Sequence, residues 1–241
     1  MSMEWDGRGP FVLRELVGSL ETILAGPGTD YAADLLARTA ELGGSGQIAE
    51  VIEAVSADRE LLGRCASRSF AHPLGFQKFV LLAGRRFEVR LHLWVPGAQV
   101  ATEHVHNHRF AFASYVLLGR LSSNLYDHAA DGVLAAGYRE SRSADARTYL
   151  FSPTGLVRVV RRETTELSTG MSYFMNPETL HQVSPVDTPS ASLVIKIPTP
   201  RTTTTVLMPP LQKPPRFAAR TALTLDTARS MLRDALELIR R

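Results

Sequence analysis

Three imidazoles stand on alternate residues in the stretch EHVHNHRFAF: His104, His106 and His108, in a chain with seven histidines altogether. On an extended strand, residues two apart project from the same face, so this spacing crowds the rings together. Crowding is costly for buried, protonated rings and useful if a cation sits among them. A mononuclear site needs at least one more donor from another strand. His181 is the candidate, in the turn-rich run GMSYFMNPETLHQVSP. His106 and His108 are then its partners, with His104 left as an outer group, a surface residue, or a ligand in a register shifted by two.

These residues must be held by strands. From Phe76 to about Val206 the chain carries short β-rich runs, among them FQKFVLL, RRFEVRLHLWV, FAFASYVLLGRLSSNLY, GYRES, RTYLF, GLVRVVRR, GMSYFMN and SLVIKI. Glycine, proline, aspartate and serine punctuate them, which predicts a sandwich or barrel rather than a βαβ sheet. Before this region, apolar residues at helical spacing predict three helices over Pro10–Ala25, Thr29–Leu42 and Gln47–Arg64. Gly26-Pro27-Gly28 and Gly43-Gly44-Ser45-Gly46 separate them, and Thr29 or Asp30 is the expected N-cap of the second. The Thr- and Pro-rich segment Pro198 to Pro215 predicts an edge strand running over the surface. Asp226 to Arg241 predicts an amphipathic closing helix capped by Asp226. The expected organisation is a helical cap over 1–70, a β-barrel over 71–207, and a linker with a terminal helix over 208–241.

Composition narrows the function classes. With 241 residues, 44% hydrophobic and 21% charged, the chain is globular rather than disordered or fibrous. The net charge of +3 is small, and no basic stripe with interleaved aromatics points to nucleic acid. No apolar run approaches a membrane span. The single cysteine, Cys65, excludes an intrachain disulfide, and the opening MSMEWDGRGP does not read as a secretion signal. The expected setting is a reducing cytoplasm, which would keep a redox metal in its lower oxidation state.

The paired spacing resembles the cupin superfamily of jelly-roll barrels, whose motifs are G(X)5HXH(X)3-4E(X)6G and G(X)5PXG(X)2H(X)3N. His106 and His108 fall on HXH, Gly119 on the closing glycine, Gly170 on the second opening glycine and His181 on its histidine. Asn176, Glu178 and Pro185 replace the usual Pro, Gly and Asn, and Gly97 lies three residues too early for the first glycine. The resemblance covers roughly residues 85 to 200. It implies a cupin-type double-stranded β-helix with an N-terminal helical cap and a C-terminal helix, and a homodimer as the expected assembly. Where most metal-binding cupins place a carboxylate, this chain has Phe112. The remaining three-histidine set is similar to that of the thiol dioxygenases and a few ring- or diketone-cleaving cupins. It implies Fe(II) on His106, His108 and His181, with O2 and a small molecule as partners and no 2-oxoglutarate. Three neutral imidazoles leave a divalent ion its full charge and open positions, which favours a thiolate, enolate or phenolate ligand. Zn(II) or Mn(II) acting as a Lewis acid, or a non-catalytic ligand-binding role, remain as alternatives.

Parity suggests the walls of the pocket. In RRFEVRLHLWV, Glu88, Arg90, His92 and Trp94 alternate with Phe87, Val89, Leu91, Leu93 and Val95. Either the polar set is a solvated outer face, or it points inward and Arg90 binds a substrate carboxylate or phosphate. His92 and Trp94 are unusual choices for plain exposure. Phe110, Phe112 and Ser114 share the parity of His106 and His108 and are expected in the same cavity. Glu103, as a substitute carboxylate, has the opposite parity, as does Arg109, which is expected outside the barrel. His72 and His128 are expected in loops, Cys65 in core packing, and Tyr115 and Tyr173 in the core.

Overall fold

The computed structural model describes residues 9–25, 31–72, 75–97, 103–143, 148–214, 218–219 and 222–240. Four helices lead: α1 (Phe11–Ala25), α2 (Tyr31–Gly44), α3 (Gln47–Ala57) and α4 (Arg59–Arg68). The expected third helix is therefore two. Asp58 divides it, with extended backbone at φ −91° and ψ 121° and a carboxylate that accepts hydrogen bonds from the Glu60 and Leu61 amides. It caps α4 where α3 ends. The expected cap at Thr29 or Asp30 and the Gly26-Pro27-Gly28 break lie outside the described residues.

The strands follow in chain order: β1 (Phe70–Ala71), β2 (Gln77–Ala83), β3 (Glu88–Trp94), β4 (Val105–His106), β5 (Phe110–Leu118) and β6 (Arg120–Arg142). After them come β7 (Thr148–Ser168), β8 (Ser172–Met175), β9 (Leu180–Pro185), β10 (Ser190–Pro198), β11 (Thr204–Met208) and β12 (Ala218–Ala219). Helix α5 (Leu225–Ile239) closes the chain, capped by the Thr224 hydroxyl on the Thr227 amide and not by Asp226, which sits in its first turn. The strands form two six-stranded sheets, ordered β1-β2-β3-β10-β5-β8 and β11-β4-β9-β6-β7-β12. Their pairings are antiparallel.

Three expectations are corrected here. The run FAFASYVLLGRLSSNLY breaks into β5 and β6 at Gly119, whose φ is +76°. A Cβ there would lie 2.4 Å from Ser190 Oγ and 2.8 Å from the Pro189 carbonyl, so no other residue fits this bend. GYRES, RTYLF and GLVRVVRR are not separate short strands. They merge into the 23- and 21-residue strands β6 and β7, and His128 lies in β6 opposite Val159 rather than in a loop. Nor is Pro198–Pro215 a surface edge throughout. Thr204–Met208 lies between β4 and β6, Val206 pairing with both His106 and Tyr138. Prolines flank this segment but TTVLM has none, so every amide is free to join the ladder and its β-branched residues suit the pleat.

The main hydrophobic core lies on the outer face of the first sheet. Val89, Leu91 and Leu93 of β3, Ala113 of β5 and Leu193 and Ile195 of β10 pack there against Leu35, Ile48, Leu62 and Leu232 of the helices. This burial settles the parity of β3. Its aliphatic face is covered by helices, and Arg90, His92 and Trp94 face the space between the sheets. Among the described residues no helix is long and apolar enough to cross a membrane.

Candidate metal centre

The first and second histidine runs meet through strand pairing. His106 of β4 is the direct cross-strand partner of His181 of β9, and β9 also pairs with β6, placing His181 opposite Leu125. Beyond β4 the chain is pinned at both edges. The Asn107 amide donates to the Thr205 carbonyl at 3.1 Å, Asn107 Oδ1 accepts from the Thr205 amide at 2.7 Å, and the His108 amide donates to the Pro177 carbonyl at 3.1 Å. His108 is thereby aimed at the same point as its neighbours.

The three rings form a nearly equilateral triangle. Centroid separations are 4.7 Å for His106 and His108, 4.6 Å for His106 and His181, and 4.8 Å for His108 and His181. One donor nitrogen from each lies within 4.8 Å of the others. Nitrogen bonds of about 2.0–2.1 Å to one ion would draw the rings in by roughly 1 Å.

Tautomers are set by the backbone. His106 Nδ1 sits 2.9 Å from the His104 carbonyl and His181 Nδ1 sits 3.0 Å from the Thr179 carbonyl. A carbonyl only accepts, so each Nδ1 carries the hydrogen and each Nε2 keeps its lone pair. Hydrogen bonding of the remote ring nitrogen is the usual device that orients a histidine for a metal. Burial, aided by the neighbouring His106, pushes His181 down to about 3. Burial also drives His108 well below the ordinary histidine range, with His106, His181 and Arg90 adding to the effect.

Glu103, the candidate substitute carboxylate of opposite parity, borders the triad. Its Oε1 lies 3.8 Å from His106 Nε2, while Oε2 accepts from the Val183 amide at 2.5 Å and its carbonyl accepts from Gln182 Nε2. Burial raises the carboxyl, against the opposing effects of His106 and the Val183 amide. Two electron-pair donors thus face each other across 3.8 Å, an arrangement relieved by a cation. The donor set therefore fits a divalent ion.

Around the triad lies a cavity of about 620 Å³, within the usual range of small-molecule sites. Phe110 stacks on His108 at 4.5 Å, and Phe112 meets its edge at 5.2 Å. Phe112 therefore occupies the carboxylate position of the motif as a hydrocarbon wall. Arg90 Nε donates to Glu88 at 2.8 Å, its Nη2 also reaches Glu88, and Lys196 reaches the same carboxylate at 3.3 Å. Burial raises the Glu88 carboxyl, but Arg90, Lys196 and Lys78 outweigh it and hold the group well below the usual range. Part of the Arg90 fork is thus engaged within the protein, and its guanidinium lies over the Phe110 ring at 5.1 Å. Trp94 and His92 line the cavity with Phe76 between them, at 5.1 and 4.8 Å.

His72 lies in the loop between β1 and β2, as expected, and from there lines the cavity and stacks on Phe76 at 4.3 Å. Tyr173 borders the cavity, and Arg109 lies inside, 3.4 Å from Glu140. His104 stands at the wall and reaches Gln212 at 3.1 Å. Arg109, expected outside on parity, lines the cavity, and Glu103 lines it despite its opposite parity, because β4 is only two residues long and alternation holds only within a strand. Lys78 had a usable signal, since the β2–β3 hairpin places it directly opposite His92.

Two antiparallel sheets closing over a three-histidine pocket make this a mainly β, double-stranded β-helix with helices at both ends. No protein-family profile and no curated protein matches the chain. Solved structures resemble it in fold alone. An RmlC-like cupin from Shewanella frigidimarina has 15% identity and a TM-score of 0.32, over 56% of this chain and 86% of that one. KdgF from Halomonas sp. has 15% identity and a TM-score of 0.33, over 53% and 83%. Oxalate decarboxylase from Bacillus subtilis has 11% identity and a TM-score of 0.34, over 56% of this chain and 28% of that one.

Proposed function

We propose that the protein is a mononuclear non-haem Fe(II)-dependent oxygenase that oxidises or cleaves a small anionic or chelating metabolite with O2, without 2-oxoglutarate. The observation that carries this reading is the triad of His106, His108 and His181 on the wall of a cavity, the first and last with their tautomers fixed, and with Phe112 where a carboxylate is usual. Iron held there would supply one-electron chemistry and open positions for a chelating thiolate, enolate or phenolate and for O2.

The chain's own residues supply position and an apolar wall. Phe110 and Phe112 wall the triad with hydrocarbon, which strengthens charge interactions beside it. Arg90, held over Phe110 by Glu88, gives a positive field near the triad that favours an anionic substrate. A reducing cytoplasm would keep the iron ferrous, and a homodimer is the assembly proposed with it.

A second reading has one observation in its favour. Glu103 lies close enough to His106 to become a fourth donor, which would lower the charge of the site and suit Zn(II) or Mn(II) acting as a Lewis acid. One experiment separates the two. Protein loaded anaerobically with Fe(II), Mn(II) or Zn(II) is tested for O2 uptake and turnover on a panel of thiols, catechols and β-diketones. Iron-specific O2 uptake that disappears in His181→Ala supports the oxygenase, whereas turnover under argon with Zn(II) or Mn(II) overturns it in favour of the second reading.

A further inference from the structure

The cavity has a second polar end whose chemistry the metal does not explain. Lys78, His92 and Ser192 are successive cross-strand partners on β2, β3 and β10, and Arg90 stands two residues from His92 on the same face. Along β3 this row lies four residues from Glu88, and Glu88 pairs through Lys196 with Phe112 beside the triad. Arg90 and His92 both bear on the protonation of His108, so the row faces the triad across one and the same cavity.

Two observations give this end a ligand class. His92 Nε2 is buried and has no hydrogen-bond partner, a cost that an oxygen of a ligand would relieve. The cavity lining also carries four cations, Lys78, Arg90, Arg109 and Arg142, against two carboxylates, Glu103 and Glu140. Behind it Glu88 and Lys196 offset one another. A surplus of two positive charges remains before any metal is counted, and a divalent ion would double it. One chelating anion does not balance that field. Between the two ends the wall is apolar, formed by Val194 and Phe112.

We propose that Lys78 and His92 form an oxyanion subsite, so that the substrate carries a carboxylate or phosphate at one end and the metal-seeking donor at the other. The metal-seeking half of this statement rests on the proposed function; the oxyanion half does not. His92 Nε2 would donate to the oxyanion, and Lys78 would neutralise it.

The test is calorimetric titration of the full chain, metal-free and Zn(II)-loaded, with diacids from succinate to suberate and with the monoamide of each. In the Zn(II) form the best diacid should bind about tenfold tighter than its monoamide, and Lys78→Gln should abolish that difference. In the metal-free form the monoamide should weaken about tenfold in Lys78→Gln and stay unchanged in His106→Ala. An ω-phosphonocarboxylate of the best length then tells a phosphate from a carboxylate preference. If Lys78→Gln does not fold, His92→Phe, which keeps a ring against Phe76 and Trp94, is read in its place. Equal binding of diacid and monoamide, or no loss in either variant, overturns the subsite. Failure of the metal to bind, with the metal-free result as expected, sinks the proposed function and leaves the subsite standing.

Discussion

His106 and His181 owe their readiness for a metal to two carbonyl oxygens, those of His104 and Thr179, which fix the hydrogen on Nδ1. Removing one ring should therefore empty the site without unfolding the chain, since the ladders that pair β9 with β4 and β6 stay in place. His181→Ala is expected to lower bound iron or zinc from about one equivalent to under a tenth, consistent with loss of one of three ligands. Elemental analysis against circular dichroism checks it. Cys65 makes a separate prediction. Burial pushes its thiol up to about 11 from 9.0, opposed by a hydrogen bond with Ser69. Because the folded value is the higher one, its contribution is whole below pH 9 and is lost as pH rises to about 11. Urea unfolding between pH 8 and 11 should show a loss of order 2–3 kcal/mol in the wild type that is missing in Cys65→Ala. At this scale the sequence was informative where residues sit in a regular strand. The two-residue spacing of His106 and His108 was readable, and so was the parity of Arg90, His92 and Trp94. Glu103 and Arg109 were not, because the chain leaves the pleat on either side of β4 and side-chain direction is then set by tertiary contacts.

Helices and strands show a similar division. The apolar period along Gln47–Arg64 is unbroken, so nothing in it announces an end; only the capping chemistry of Asp58 does. Asp58→Ala should cost about 1 kcal/mol, read by urea denaturation, with the loss confined to the junction of α3 and α4. Thr204–Met208 was hidden for the opposite reason. The prolines around it advertise a surface segment, whereas five proline-free residues are enough to complete a ladder between β4 and β6. Long ribbons such as β6 and β7 were legible as strands but not as single ones, since bulges at Leu125/Tyr126, His128/Val133 and Gly137/Tyr138 let turn-forming residues ride inside them.

For the whole molecule, a ligand that binds only the folded state must stabilise it. Free Zn(II) at a hundredfold its Kd should add about 2.7 kcal/mol, visible as a concentration-dependent rise in Tm that His181→Ala lacks. The helices and the first sheet carry most of the apolar seam, so Leu91→Ala, wholly buried among them, should cost about 2–5 kcal/mol by urea denaturation. Arg90→Gln, one residue away but facing the cavity, should leave that seam intact while weakening anion binding.

Consecutive positions of β3 thus answer to different selective demands. The odd-numbered residues anchor a helical backing, and the even-numbered ones read whatever enters from the other side. A point substitution at 90, 92 or 94 can retune ligand choice while the anchoring register stays put. Such a barrel wall can diverge in specificity faster than in shape.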